Sequence, residues 1–243
     1  MSYLKHIEYN EGVNIQRGLV RGTYGVNKFG YNPAVPSNAT ETIWDGSNLY
    51  TYISTPGTAQ VSSVESDDNG STVLVEGVDA SYNLVGETLT VGGAAGSVTF
   101  KRVFRARMVT ASTGDTNQGD VTVTVDSKSA AIITEGRGQT LMALYTVPAN
   151  HSAYIMQLDI GSQKDLENEV SLVIRNGAAA AVWQTKEFLS VRGGLSVKQY
   201  SLPIRIPEKH DIEVRARSSA TGAISCGFEL LIIQDDFVES RRL

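Results

Sequence analysis

Beyond Trp44 the chain alternates apolar and polar side chains in short runs. In VTVTVD (121–126), Val121, Val123 and Val125 fall on one face and Thr122 and Thr124 on the other. In DIEVRAR (211–217), Ile212, Val214 and Ala216 read as inward, with Glu213, Arg215 and Arg217 outward. STVLVEG (71–77) and ETLTVGG (87–93) repeat the pattern. A period of two sends successive side chains to opposite faces of a strand, and one buried face per strand makes an antiparallel sheet. Clusters of Gly, Asn, Asp and Ser interrupt the runs at intervals of roughly ten residues, the rhythm of a sandwich or jelly roll.

The interruptions specify turns. Asn176-Gly177, between SLVIR and AAAAVWQ, is the strongest hairpin signal, because both residues tolerate positive φ, and DDNG (67–70) is another Asn-Gly turn. VPANH (147–151) turns on its proline. SLPIRIP (201–207) is extended, and its prolines, which cannot donate to a ladder, place it at a sheet edge or a bend. AAAAVWQTKEFL (178–189) has helical propensity, but the Asn-Gly turn before it favours a strand. QKDLENEV (163–170) has the composition for one helical turn.

The first 45 residues lack any such period. The stretch from Gly22 to Gly46 is rich in Gly, Asn and Pro yet carries Tyr24, Phe29, Tyr31 and Trp44. A segment this polar cannot bury enough apolar surface to offset its ordering entropy by itself. The stretch therefore reads as an extended arm. ASTGDTNQGD (111–120) is the clearest later break. The expected division is an extended arm (1–45), a small antiparallel β domain with linker (46–118), a larger β-sandwich or jelly-roll domain (119–235) and a charged tail (236–243). The fold class is all-β.

Composition narrows the function. Of 243 residues, 41% are hydrophobic and 19% charged, enough for a packed core. A net charge of −5 argues against a general nucleic-acid binder. No apolar run approaches a bilayer span, and MSYLKHIEYNEG has no signal-peptide core, so a protein made in a cytoplasm, with no membrane partner, is expected. The single cysteine, Cys226, reads as a small buried hydrophobe. VGGAAGS (91–97) lacks the Lys-Ser/Thr ending of a phosphate loop, and ESDDNG (65–70) lacks EF-hand spacing. No nucleophile elbow, zinc-protease or paired-cysteine motif occurs, so no catalytic residue, metal ligand or cofactor is assigned. KRVFRAR (101–107) is the one basic cluster; Lys101, Arg105 and Arg107 would share a strand face, with Arg105 and Arg107 as candidate contacts to an acidic surface. Trp44 and Trp183 are candidates for sugar stacking, with core packing the competing role.

TIWDGSNLYTY (42–52), VSSVESDDNGSTVLVEGVDASYNLVGETLTVGG (61–93), GQTLMALYTVPANHSAYIMQ (138–157) and PIRIPEKHDIEVRA (203–216) together resemble a family of virion structural proteins from tailed, especially marine, bacteriophages. The resemblance covers most of residues 20–235. It implies a non-enzymatic chain located in the virion, a homo-oligomer such as a trimer, whose partners are major capsid or tail proteins. It also implies that Tyr24, Phe29, Tyr31 and Trp44 of the arm are anchors in neighbouring subunits, since large aromatics dominate interface energetics. The competing reading has the arm wrap its own β domain. A capsid decoration or cement protein that binds the shell through its arm is the first expectation. A tail, collar or fibre-associated protein is the second. A carbohydrate-binding host-recognition module, with Trp183 or Tyr200 as its exposed platform, is the third.

Overall fold

The computed structural model describes residues 11–178 and 181–236. The first ten residues of the expected arm, and all of the expected tail except Asp236, lie outside them. A short helix, α1 (Glu11–Gln16), precedes fifteen strands: β1 (Thr23–Val35), β2 (Glu41–Thr42), β3 (Gly57–Thr58), β4 (Gln60–Ser63), β5 (Thr72–Val78), β6 (Leu84–Thr90), β7 (Thr99–Phe100), β8 (Arg102–Thr110), β9 (Val121–Val125), β10 (Lys128–Ile133), β11 (Leu144–Thr146), β12 (His151–Asn176), β13 (Gln184–Ile206), β14 (His210–Ser218) and β15 (Gly222–Gln234). The fold is all-β and antiparallel, of the sandwich or jelly-roll kind that the alternation predicts.

One large sheet organises the molecule. β12 pairs along its length with β13. Its other edge meets β15 through 151–162 and then β14 through 168–176, so β14 and β15 run in line. β1 lies beside β15, and β2 and β11 beside β14. The ranks break at a common level. β12 shifts register between Ser162 and Glu167, where Asp165 has φ 63°, and β13 turns at Gly193 and Gly194, with φ 59° and 72°. Positive φ at adjacent glycines lets the strand change direction without a Cβ clash. The sheet folds over at this corner. Glu187 thereby comes within 2.5 Å of Lys198 and 3.3 Å of Tyr200, from the other half of its own strand. Leu158 and Ile160 from one half, and Val170, Leu172 and Ile174 from the other, are buried between them.

The expected arm is corrected by this pairing. Thr23–Val35 is an edge strand of the chain's own sheet, in register with β15 from Thr23 opposite Ile233 to Val35 opposite Gly222. The period of two is present but hidden, because its inward positions hold Lys28, Gly30 and Asn32, all buried. Lys28 donates from Nζ to the Phe104 carbonyl. A Cβ on Gly30 would lie 2.2 Å from the Ile43 carbonyl oxygen and 2.4 Å from the Ala143 nitrogen, so only glycine admits this backbone approach. Asn32 donates from Nδ2 to Glu41 at 2.8 Å, and its Oδ1 accepts from the Ala34 amide at 3.0 Å. Backbone hydrogen bonds and tailored polar contacts hold the segment, not an apolar stripe.

The smaller sheets, β6-β5-β8 and β10-β9-β4, lie against the large one and share one continuous hydrophobic cluster with it. β4 pairs with β9, so a single sheet takes strands from both sides of residue 118. The polar break at 111–120 is stapled: Asn117 Nδ2 donates to the carbonyls of Gly119, Ile133 and Thr134, and Asp68 accepts the Gln118 and Gly119 amides. QKDLENEV forms no helical turn; it is the bulged part of β12. SLPIRIP lies in β13, whose ladder is with β12 alone, an edge position.

Candidate functional site

The outward face of the folded-over half carries Arg175 on β12 and Asp211, Glu213 and Arg215 on β14. DIEVRAR was expected to expose Glu213 and Arg215; instead Glu213 and Asp211 are fully buried and Arg215 is half-buried. The reason is a cover. Residues 50–53 and the start of β8 pack onto this face and bring Tyr50, Tyr52 and Arg102 with them. Arg102 grips Asp211 with two hydrogen bonds of 2.9 and 3.0 Å, a bidentate pair. Arg175 reaches Asp211 at 3.1 Å, and Thr146 donates to it at 2.8 Å. Arg215 holds Glu213 at 2.9 and 3.1 Å, and Tyr52 donates to Glu213 at 3.2 Å. The Arg175 guanidinium lies 4.3 Å from the Tyr52 ring and 4.6 Å from Trp183, and that of Arg215 lies 4.3 Å from Trp183. Burial, with the charges of Glu213 and Asp211, drives the Tyr52 hydroxyl well above its ordinary value. Burial works against the charge of Arg102, but the hydrogen bond and charge of Asp211 outweigh it and raise its pKa. Both carboxylates are sealed and doubly partnered, so the cluster clamps two layers together and offers no acid or base to a substrate.

The six candidate contact residues are dispersed. Trp44 is buried at 5% exposure, edge-on to Tyr50 at 5.0 Å, with its indole nitrogen donating to the Ser47 carbonyl. Tyr24 is half-buried, 5.9 Å edge-on from His151. Arg105 donates to the Asn27 carbonyl of β1 at 2.7 Å. Arg107 is exposed, 3.8 Å from Glu76. The common face expected for Lys101, Arg105 and Arg107 is broken by a register shift at Glu76–Gly77, and Lys101 instead donates to the Ser54 carbonyl. Among the aromatic anchors, Trp44 and Tyr24 are thus occupied within their own chain. Trp183, stacked against two guanidiniums, presents no free platform, and Tyr200 is half-buried with its hydroxyl on Glu187. Burial pushes the Cys226 thiol up, as a buried small hydrophobe requires.

Phe29 and Tyr31 come together on the outward face of the other half. Phe29 stands in one cross-strand row with Gly227, Asp159 and Val197; Tyr31 stands in the next with Ser225, Gly161 and Leu195. The middle positions lack large side chains, so the face is a trough of about 670 Å³ that also includes Asn27, Arg137 and Leu141. Its far wall belongs to β13, which carries the densest run of exposed apolar side chains: Phe188, Leu195, Val197 and Leu202, with Leu202 at 87% exposure. The sequence signal for this wall was the alternation of LSV (195–197) continuing past Gly194, and for the floor the glycines at outward positions in LDIG and SCG.

Among the described residues no group of His, Cys, Asp and Glu could hold a metal ion, and no helix is long and apolar enough to cross a membrane. No protein-family model matches the chain. No curated protein is similar to it. Among solved structures, a chain of "Structure of infectious bursal disease virus Gt strain" aligns over 88% of this chain and 73% of its own length at 10% identity, with a TM-score of 0.26. A chain of "Crystal Structure of the STIV MCP" aligns over 90% of this chain and 100% of its own at 9% identity, with a TM-score of 0.27.

Proposed function

We propose that this chain is a non-enzymatic structural protein of a virus particle, a phage capsid decoration protein that docks through β13 and not through a free N-terminal arm. The observation that carries the reading is the edge of the large sheet. β13 spans Gln184–Ile206, pairs with β12 alone, and holds Phe188 and Leu202 out to solvent. Its charged residues, Pro203 and register shifts blunt the ladder against strand addition, so what β13 offers a partner is its exposed apolar side chains. The resemblance to phage virion proteins at residues 42–52, 61–93, 138–157 and 203–216 agrees with it. A tail or collar position is the competing reading and uses the same edge.

Quantitative mass spectrometry of purified particles separates the two. A decoration site repeats on the order of hundreds of times on an icosahedral shell, and a tail ring on the order of ten. Hundreds of copies relative to the major capsid protein support decoration. About ten move the chain to the tail. Absence from the particle overturns the reading.

A further inference from the structure

We propose that the trough between β1 and β13 is a binding groove for a neutral saccharide chain. Its walls are Phe29 and Tyr31 on one side and Leu195 on the other, separated by the two strands β15 and β12. Three inter-strand spacings make the groove about 14 Å wide, room for a sugar chain lying on the sheet. Gly161 and Gly227 clear the floor. The aromatic wall of Phe29 and Tyr31 matches the apolar C–H face of a pyranose ring, and the polar rim of that ring needs donors and acceptors placed around it. The trough supplies them: the Asp159 carboxylate, the Asn27 amide, the Tyr31 hydroxyl and the Arg137 guanidinium. Asp159 is already oriented by Gln157 Nε2, at 2.9 and 3.2 Å from its two oxygens. The side chains of Asn27, Tyr31 and Arg137 make no hydrogen bond among the described residues.

The other ligand classes fit less well. An extended peptide binds a sheet by its main chain, but every strand beneath the trough, β1, β15, β12 and β13, is already laddered across the floor. A phosphate or acidic sugar would face Asp159, and a cation would face Arg137; one charge of each sign suits a neutral polyhydroxyl ligand. The groove shares β13 with the proposed docking edge, but its ligand is read on the free protein, so its failure is distinguishable from failure of the particle reading.

The test is a glycan array of neutral hexose, deoxyhexose and N-acetylhexosamine oligosaccharides, followed by calorimetry on the strongest binder. Tyr31→Ala and Asp159→Asn are expected to weaken binding by about tenfold or more, the loss of one stacking or charged hydrogen-bonding group. Gly227→Val puts a side chain on the floor beside Asp159; the added Cβ meets its nearest atoms at 3.6 Å, ordinary contact. It is expected to abolish binding with an unchanged melting curve. Leu202→Ala, outside the trough, leaves binding as it was. The proposal is overturned if no neutral glycan binds, if only acidic glycans bind, or if Gly227→Val binds like the parent. It is equally overturned if the trough variants change the sedimentation coefficient of the free protein, which would make the groove an interface between copies.

Discussion

Arg102 is the second residue of the basic run KRVFRAR, yet it is the member at 4% exposure, while Arg107 at the end of the run faces water. Alternation along β8 decides which cation is buried, and the partner it meets, Asp211, is far away in sequence. Removing one member of a buried ion pair strands the other. Arg102→Met is therefore expected to cost about 3–5 kcal/mol in urea denaturation, whereas Arg107→Met is expected to cost under about 0.5 kcal/mol. Equal losses would refute the assignment. Asp45 gives a second prediction at this scale. Burial raises its pKa from 3.8 to about 6, opposed by the Leu141 amide, which it accepts at 2.7 Å, and by Arg137. A raised folded-state pKa contributes stability that is complete below the unfolded value and is lost as pH rises through about 6. Asp45→Asn keeps the acceptor and removes the charge. Relative to the parent it should gain stability between pH 5 and pH 7.5, and parallel stability curves over that window would show that Asp45 does not titrate there.

At the scale of elements, β1 and β13 are the two edges on which the sequence and the structure diverge most. β1 read as an arm because its inward positions are Lys, Gly and Asn, residues that no hydrophobic period detects. The ladder with β15 makes a direct prediction for hydrogen exchange. Amides of β1 that point to β15 should be protected in the isolated chain, whereas a free arm would exchange at the rate of an open coil. β13 carries the reverse mismatch, a strand whose outward positions are more apolar than a solvated edge needs. Phe188→Lys with Leu202→Lys should leave the melting temperature within a few degrees and reduce recovery in particles by about tenfold or more, read by the same copy-number measurement. Unchanged incorporation would rule out β13 as the docking edge.

At the scale of the molecule, the clamp of Arg102, Arg175 and Arg215 on Asp211 and Glu213 couples the small sheets to the large one. Together with the strand pairing of β4 to β9, it predicts one cooperative unfolding transition for the whole chain, seen as coincident curves by far-ultraviolet circular dichroism and tryptophan fluorescence. The two tryptophans lie beside the clamp, so a fluorescence transition that precedes the loss of β structure would show that the layers separate first. Asp211→Asn is the variant expected to split the curves.

The sequence by itself determined the all-β class, the antiparallel pairing and most turns, because a period of two and Asn-Gly or proline turns are local properties that the chain writes within a few residues. It singled out Phe29 and Tyr31 as arm anchors in neighbouring subunits, not as the wall of a groove. Tertiary structure decided the rest. Whether Glu213 meets water or an arginine depends on which layer lands on β14. Whether Thr23–Val35 is an arm or a strand depends on β15, on the opposite end of the chain. The trough exists only because glycines from β12 and β15 fall between walls from β1 and β13. Each is a coincidence of residues distant in sequence, and no local pattern records which strands become neighbours.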